Sequence, residues 1–168
     1  PSRPPLDLGA DMACCSAHKT LPVLTGGAYL HIGGHLPALF CDHAKQALCL
    51  FGSTSPSYLI LQSLDKCNEY IADGYPQKLE NTVESVENLK KKLCDYGFEL
   101  IGKEPLKLTL SPKAMGYTGE EIAQILSRNG VECEFSDPDF AVMMFTPEIT
   151  NAEIENIGNI LLSVEKKE

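Results

Sequence analysis

The chain has 168 residues and lacks several features that mark common classes of protein. It has no apolar run long enough to cross a bilayer, and it does not open with the charged-then-apolar segment of a secretory leader. It has no basic excess either, because its formal net charge is −9. An acidic chain has no electrostatic attraction to nucleic acid or to an anionic membrane, so we expect neither as a partner.

A disulfide framework is also absent, because the seven cysteines are odd in number and do not have framework spacing. We therefore expect free thiols and a cytoplasmic location, where thiols stay reduced. The rest of the composition is typical of a folded protein, with 43% hydrophobic and 22% charged residues. A chain of this length forms one ordinary domain or two small ones.

Charge is scarce in residues 1–60, which hold only three basic and three acidic residues. Residues 61–168 hold the other 11 basic and 20 acidic residues, so they carry the whole net charge of −9. A segment so poor in charge is expected to be buried on most sides, and it cannot cover itself. Together with the absence of an initiator methionine before Pro1, this indicates a piece of a larger body that associates through its apolar face.

Hydrophobic patterning predicts an α/β protein whose two parts meet near Tyr75. In residues 1–74, short apolar runs predict strands in a sheet covered on both faces, followed by a helix that begins at Ser55-Pro56 and ends near Ala72. The predicted strands of this part are Asp11–Ser16, Ala28–Ile32 and Ala47–Phe51.

Residues 75–168 are predicted to form a linking helix over Lys78–Tyr96 and then a small open-faced sandwich of order β-α-β-β-α. Its helices begin at Thr118 and at Thr150 or Asn151, where a hydroxyl or amide cap precedes an acidic first turn. The predicted strands of this part are residues 98–102, 107–110, 131–135 and 141–145.

Reactive side chains are densest in Ser16-Ala17-His18-Lys19-Thr20, just after the first predicted strand. A lysine at a strand end most often reaches out to solvent. Among apolar neighbours, however, its ammonium form loses solvation, which favours the neutral amine that attacks a carbonyl carbon. The nearby hydroxyls and imidazole are donors suited to a phosphate, so the cluster has the chemistry of a pyridoxal phosphate site.

The run from Ala10 to His31, ADMACCSAHKTLPVLTGGAYLH, resembles the cofactor-lysine segment of the Orn/Lys/Arg decarboxylases. These are bacterial pyridoxal phosphate enzymes of the aspartate aminotransferase fold, fold type I. The stretch Ser53–Tyr58 is similar to a second family segment. The resemblance implies that residues 1–74 are the C-terminal part of the cofactor-binding large domain and that residues 75–168 are the linking helix and small domain.

The resemblance also implies roles for individual residues. Lys19 matches the lysine that binds pyridoxal phosphate covalently, and Ser16 and His18 match side chains that hold the phosphate. Ser53, or its neighbour Thr54, matches a hydroxyl that reaches the phosphate of the other subunit in a homodimer. These roles agree with the chemistry, because a doubly charged phosphate needs several convergent donors.

Simpler interpretations exist for the same residues. The Ser-Thr-Ser-Pro run is most often a helix cap, and a lone histidine such as His18 is more often structural. A metal site is not expected, because the spacing of the four candidate ligands fits no standard zinc pattern. Those candidates are His31, His35, Cys41 and His43.

In the family, an acidic partner for the pyridine nitrogen, a ring-stacking residue and a glycine- or serine-rich phosphate turn precede the lysine. Nothing in Pro1–Ala10 matches them. We therefore expect that the chain is a C-terminal fragment, and that alone it neither retains pyridoxal phosphate nor catalyses a reaction.

The parent protein is expected to be a carboxy-lyase that converts lysine, ornithine or arginine to an amine and CO2, as a homodimer or larger assembly. The sequence does not distinguish these three substrates. Two alternatives stay open: an aminotransferase of the same fold, and a non-catalytic binding or regulatory module formed by residues 97–168. Arginine content weakly opposes the aminotransferase, because Arg128 is the sole arginine after Lys19 and lies in a solvent-facing sequence.

Overall fold

The computed structural model describes residues 3–167, which form five α-helices and two small antiparallel sheets. The chain divides into two compact units, Pro1–Asp73 and Gly74–Glu168. Within residues 3–167, no helix combines the length and the apolar character needed to cross a membrane.

The first unit begins with a two-stranded antiparallel hairpin of β1 (Met12–Cys15) and β2 (Tyr29–Ile32). Met12 lies opposite Ile32 and Cys15 lies opposite Tyr29, so the strands are closed at one end by the long connection between them. Two α-helices follow, α1 (Ala38–Phe51) and α2 (Tyr58–Ala72). The two strands predicted at Asp11–Ser16 and Ala28–Ile32 are confirmed.

The strand predicted at Ala47–Phe51 is wrong, because these residues form the last turns of α1. A run of five apolar residues fits either a buried strand or a helix, and periodicity alone cannot separate them. The helix begins after Pro37 and ends where the Gly52 N–H donates to the Leu48 carbonyl, 2.8 Å away. Every residue of β1 and β2 is exposed or half-buried, so residues 3–73 do not themselves cover the faces of this two-stranded sheet.

The second unit packs three helices against one face of a four-stranded sheet. The strand order is β3-β4-β6-β5, and each neighbouring pair is antiparallel. The inner face presents Leu108 and Leu110 from β4 and Met143 from β6 to a core that the helices complete. The elements are α3 (Tyr75–Tyr96), β3 (Glu99–Ile101), β4 (Lys107–Ser111), α4 (Gly119–Arg128), β5 (Phe135–Ser136), β6 (Ala141–Met144) and α5 (Asn151–Leu162).

The predicted sandwich order needs one correction. Two strands, β3 and β4, precede α4, so the order after α3 is β-β-α-β-β-α and not β-α-β-β-α. The strand predicted over residues 131–135 is also shorter than expected, because only Phe135 and Ser136 pair with β6. Val131 and Cys133 instead pack against the hydrophobic core, which explains their apolar character.

Both predicted helix starts in this unit are confirmed by capping boxes. The Glu121 N–H donates to Thr118 Oγ1 at 3.1 Å, and the Thr118 N–H donates to Glu121 Oε2 at 2.9 Å. Thr150 and Glu153 repeat the arrangement at the start of α5. A cap satisfies N–H groups that have no partner within the helix, so these residues define where each helix begins.

Glu121 has a second partner, because Lys167 Nζ donates to its Oε1 at 2.7 Å. This hydrogen bond, followed by the one from the Thr118 backbone, lowers the pKa of Glu121 below its ordinary value of 4.5. A carboxylate with a lowered pKa in the folded state stabilises the fold above its unfolded pKa. That stability is lost as the pH falls through the lowered value.

We expect Glu121→Gln to lower the urea midpoint of the second unit at neutral pH, because the amide loses the ion pair with Lys167 and weakens the cap. The difference from wild type should shrink in acid below pH 4.5, where the wild-type carboxylate becomes protonated. Glu120→Gln is the matched control, since Glu120 lies in the same helical turn and does not cap the helix. An equal effect of both variants would contradict this role of Glu121.

Candidate functional site

The predicted site residues Ser16, His18 and Lys19 lie together on one turn between the two strands of the hairpin. Ala17–Lys19 form a single 3-10 turn that follows Ser16, and we call Ser16–Lys19 the lysine turn. The Lys19 N–H donates to the Ser16 carbonyl at 3.3 Å, which closes the turn. The His18 N–H donates to the Gly27 carbonyl at 3.2 Å, which holds the turn against the returning chain.

The side chains of the lysine turn differ sharply in how far they are buried. Ala17 is only 3% exposed, whereas Ser16 and Lys19 are exposed and His18 is half-buried. Among the described residues, the side chains of Ser16, His18 and Lys19 have no hydrogen-bond or ion-pair partner. The turn therefore offers a hydroxyl, an imidazole and an amine that are all free to bind another molecule.

Lys19 is exposed, whereas its sequence neighbours predicted apolar surroundings. We expected apolar neighbours to strip water from its ammonium group, but residues 3–73 leave the side chain exposed. The apolar residues nearby point inward toward α2 instead, with Ala17 and Val23 buried there.

The lysine turn rests on α2 through a small apolar cluster. Ala17, Val23 and Cys67 are its buried members, and Cys67 belongs to α2. The Leu24 N–H donates to Ser63 Oγ at 3.1 Å. The Tyr29 hydroxyl donates to the Leu64 carbonyl at 2.7 Å, and it lies 3.2 Å from Asn68 Oδ1.

Burial raises the pKa of Tyr29, and the neighbouring Cys67 and Asp65 raise it further. The phenol consequently stays protonated and remains a hydrogen-bond donor at neutral pH. The sequence did not predict the contacts of Ser63 and Tyr29, because each residue is separated from its partner by more than thirty residues of chain.

Gly26 and Gly27 allow the chain to return beneath the turn. Gly26 has a φ of +94°, a conformation that side chains disfavour. Gly27 is buried, and a Cβ there would lie 2.3 Å from Val23 Cγ1 and 3.2 Å from the Leu24 carbonyl oxygen. The glycine pair therefore serves a tight loop, and this loop carries the carbonyl that accepts from His18.

The second predicted segment follows α1. Ser53 and Thr54 are exposed, and Ser53 Oγ accepts from the Ser55 N–H at 3.0 Å. No hydrogen bond within residues 3–73 joins either residue to the lysine turn. The helix begins at Tyr58, three residues after Ser55, so the predicted cap at Ser55-Pro56 is wrong.

The histidines outside the lysine turn have local partners. His35 Nε2 lies 2.9 Å from Asp11 Oδ1, next to the Gly33 N–H that donates to the Asp11 carbonyl. His43 Nδ1 lies 3.4 Å from Gln46 Oε1 on α1. Across the part of the chain that the structure describes, no three His, Cys, Asp or Glu side chains group as metal ligands would.

A large apolar surface lies beside the site in the same unit. None of the residues of α1 is buried, and Leu39 and Phe51 are 60% and 85% exposed. Between α1 and the hairpin runs a groove of about 600 Å³ with an apolar lining. We call α1 and this groove the α1 surface; it is lined by Met12, Leu30, Phe40, Ala44, Ala47 and Leu48, among others.

Comparison with known proteins relates residues 7–101 to the model of the Orn/Lys/Arg decarboxylase major domain. The uncharacterized protein YaaO of Bacillus subtilis is 33% identical over 148 residues, which cover 83% of this chain and 30% of that protein. The arginine decarboxylase of Bacillus subtilis is 27% identical over 172 residues, covering 95% of this chain and 35% of the enzyme. The chain thus spans about a third of the length of these curated relatives.

Solved structures share the fold at low sequence identity. The lysine decarboxylase of Francisella novicida superimposes with a TM-score of 0.69 at 18% identity, over 89% of this chain and 27% of that one. A NifS-like protein superimposes with a TM-score of 0.66 at 14% identity, over 94% of this chain and 47% of that one. At these identities the similarity shows that the chain shares the fold of part of each of these proteins.

Proposed function

Since the chain belongs to the Orn/Lys/Arg decarboxylase family, we propose that Lys19 is the lysine that binds pyridoxal phosphate in a decarboxylase of basic amino acids. The observation that best supports this is the lysine turn itself. It presents an amine together with a hydroxyl and an imidazole, none of which is engaged within the described residues. The substrate class is lysine, ornithine or arginine, with an amine and CO2 as products.

The residues of the lysine turn fit one end of the cofactor. The family's enzymes use pyridoxal phosphate, whose phosphate needs hydrogen-bond donors and whose aldehyde needs an amine. Ser16 and His18 would hold the phosphate, and Lys19 would hold the cofactor covalently. Ser53 or Thr54 would donate to the phosphate bound by a partner subunit, which agrees with their exposure and their distance in sequence from the turn.

Bound pyridoxal phosphate would supply the electron sink that decarboxylation requires. The chain's own residues would position the cofactor and move protons. Lys19 acts from its Nζ, as the amine that binds the cofactor and as a carrier of a proton near the reacting carbon. Ser16 and His18 fix the anionic end, so that the turn sets the distance between phosphate and amine.

Arginine placement favours decarboxylation over transamination in this proposal. Aminotransferases of this fold hold the substrate carboxylate with an arginine of the small domain, in a bidentate pair. Arg128, the sole arginine after Lys19 in the sequence, is exposed in the last turn of α4. An enzyme that releases the carboxylate as CO2 gains nothing from stabilising it strongly in the ground state.

In a protein that carries this chain at the length of its relatives, we expect Lys19→Ala to abolish decarboxylation and covalent retention of the cofactor after borohydride reduction. Lys19→Arg should do the same, because a guanidinium stays protonated and cannot act as the nucleophilic amine. The measurements are CO2 release from lysine, ornithine and arginine, and the mass of the reduced protein.

Lys91→Ala is the control for this pair, since Lys91 is an exposed lysine of α3 in the second unit. It should leave both readouts at the wild-type level. Covalent retention by the Lys19→Ala protein would show that another lysine binds the cofactor.

We further propose that the first unit associates with a second copy of the chain through the α1 surface. Helix α1 has no buried residue and lies beside an apolar groove, and together they expose more apolar surface than soluble monomers usually display. The hairpin adds two strands with no further sheet neighbours among the described residues, and open edges favour pairing with another chain. Self-association would cover both features.

Light scattering on the 168-residue chain should therefore give a dimer or larger species. Replacing both Leu39 and Phe51 with Glu should shift the chain toward the monomer, because each places a charge on the α1 surface. Phe135→Glu is the control, as Phe135 is 54% exposed on the sheet of the second unit. A wild-type monomer at high concentration would contradict the proposal.

A further inference from the structure

We propose that Ser63 and Tyr29 are positioning residues that fix the lysine turn through its backbone, one on each side of Lys19. This inference rests on the proposed function of Lys19 and extends it to residues that touch neither cofactor nor substrate. It explains how a turn with exposed, unpartnered side chains keeps a defined geometry.

The need for such anchors follows from the chemistry of the turn. Ser16, His18 and Lys19 must keep their polar atoms free for a ligand, so protein partners cannot hold these side chains in place. Their direction must then come from the backbone that carries them. A binding group is useful only when it is held within a fraction of an ångström of its working position.

Ser63 fixes the chain that leaves the turn. Its Oγ accepts from the Leu24 N–H at 3.1 Å and donates to the Ile60 carbonyl at 2.8 Å. The second bond orients the hydroxyl on α2, so its oxygen faces the loop. Leu24 in turn accepts at its carbonyl from the Gly27 N–H at 3.0 Å, and the Gly27 carbonyl accepts from His18. A chain of hydrogen bonds thus links α2 to the lysine turn.

Tyr29 lies on β2 and fixes the entrance of the turn indirectly, through its pairing with β1. Its hydroxyl donates to the Leu64 carbonyl of α2 at 2.7 Å, which ties β2 to the helix. Tyr29 is paired with Cys15 across the hairpin, and Ser16 follows Cys15 directly. The entrance and the exit of the turn are therefore held by consecutive residues of one helix, Ser63 and Leu64. Ala17 is buried in the same apolar cluster as Cys67 of α2.

Amide hydrogen exchange, read residue by residue in the 168-residue chain, tests the proposal. Ser63→Ala should speed exchange of the Leu24 and His18 amides about two- to tenfold, the change expected for loss of one hydrogen bond. Tyr29→Phe should speed exchange in β1 and at Lys19 by a similar factor. Ser63→Thr should restore wild-type rates, because threonine keeps the hydroxyl.

Gln62→Ala, at an exposed neighbour of Ser63 on the same helix, is the matched control and should leave these rates unchanged. The amides of β4 in the second unit are the internal reference. Unchanged rates in Ser63→Ala would overturn the proposal. So would faster exchange throughout α2, which would indicate general loosening, and so would failure of Ser63→Thr to rescue.

Lys19→Ala separates this inference from the proposed function. Its side chain has no partner among the described residues, so its removal should leave the exchange rates of the turn as they are. If Lys19 proves not to bind the cofactor, the exchange results for Ser63 and Tyr29 still decide whether α2 positions the turn.

Discussion

Burial of Ala17 against α2 is the contact on which the functional part of this chain depends. In a 3-10 turn, neighbouring side chains point in different directions. Because Ala17 is buried in the cluster with Cys67, Ser16 and Lys19 are left exposed. A larger residue than alanine would push the turn off the helix. A polar one would lose solvation with no partner nearby. The small side chain of Ala17 therefore allows both the buried contact with α2 and the outward placement of Ser16 and Lys19.

The two units differ greatly in how they bury apolar surface. The core of the second unit joins all three of its helices to one face of its sheet, and that unit has two capping boxes and a full set of antiparallel pairings. The buried apolar cluster of the first unit has only Ala17, Val23 and Cys67 among the described residues, and no residue of α1 is buried. Apolar area removed from water is the main source of folding free energy. The proposed self-association would therefore stabilise the first unit by covering its α1 surface.

Sequence reasoning predicted most of the second unit because its signals are local. Thr118 with Glu121, and Thr150 with Glu153, mark helix starts by a spacing of three residues, and α3 shows regular helical spacing of its apolar residues. It failed at Ala47–Phe51, because the five apolar residues that end α1 fit a strand and a helix equally well. Both strands before α4 were predicted at residues 98–102 and 107–110, and the error lay in the stated element order, which counted one of them.

The residues of the candidate site could be proposed from the sequence, but the contacts that support them could not. The run around Lys19 identified Ser16, His18 and Lys19, and the structure places these three on one turn. The anchors Ser63 and Tyr29 depend on contacts between distant segments, which no short spacing reveals. The proposed role of Ser53 or Thr54 would involve a second subunit, which a single chain does not display.

The most direct test of this account is to map the attachment point of pyridoxal phosphate. A protein carrying this chain at the length of its relatives would be loaded with the cofactor, reduced with borohydride, digested, and sequenced by mass spectrometry. The account predicts that the reduced cofactor is found on Lys19, in the peptide that contains Ser16 and His18. Stoichiometric attachment to any other lysine, with Lys19 unmodified, would contradict it.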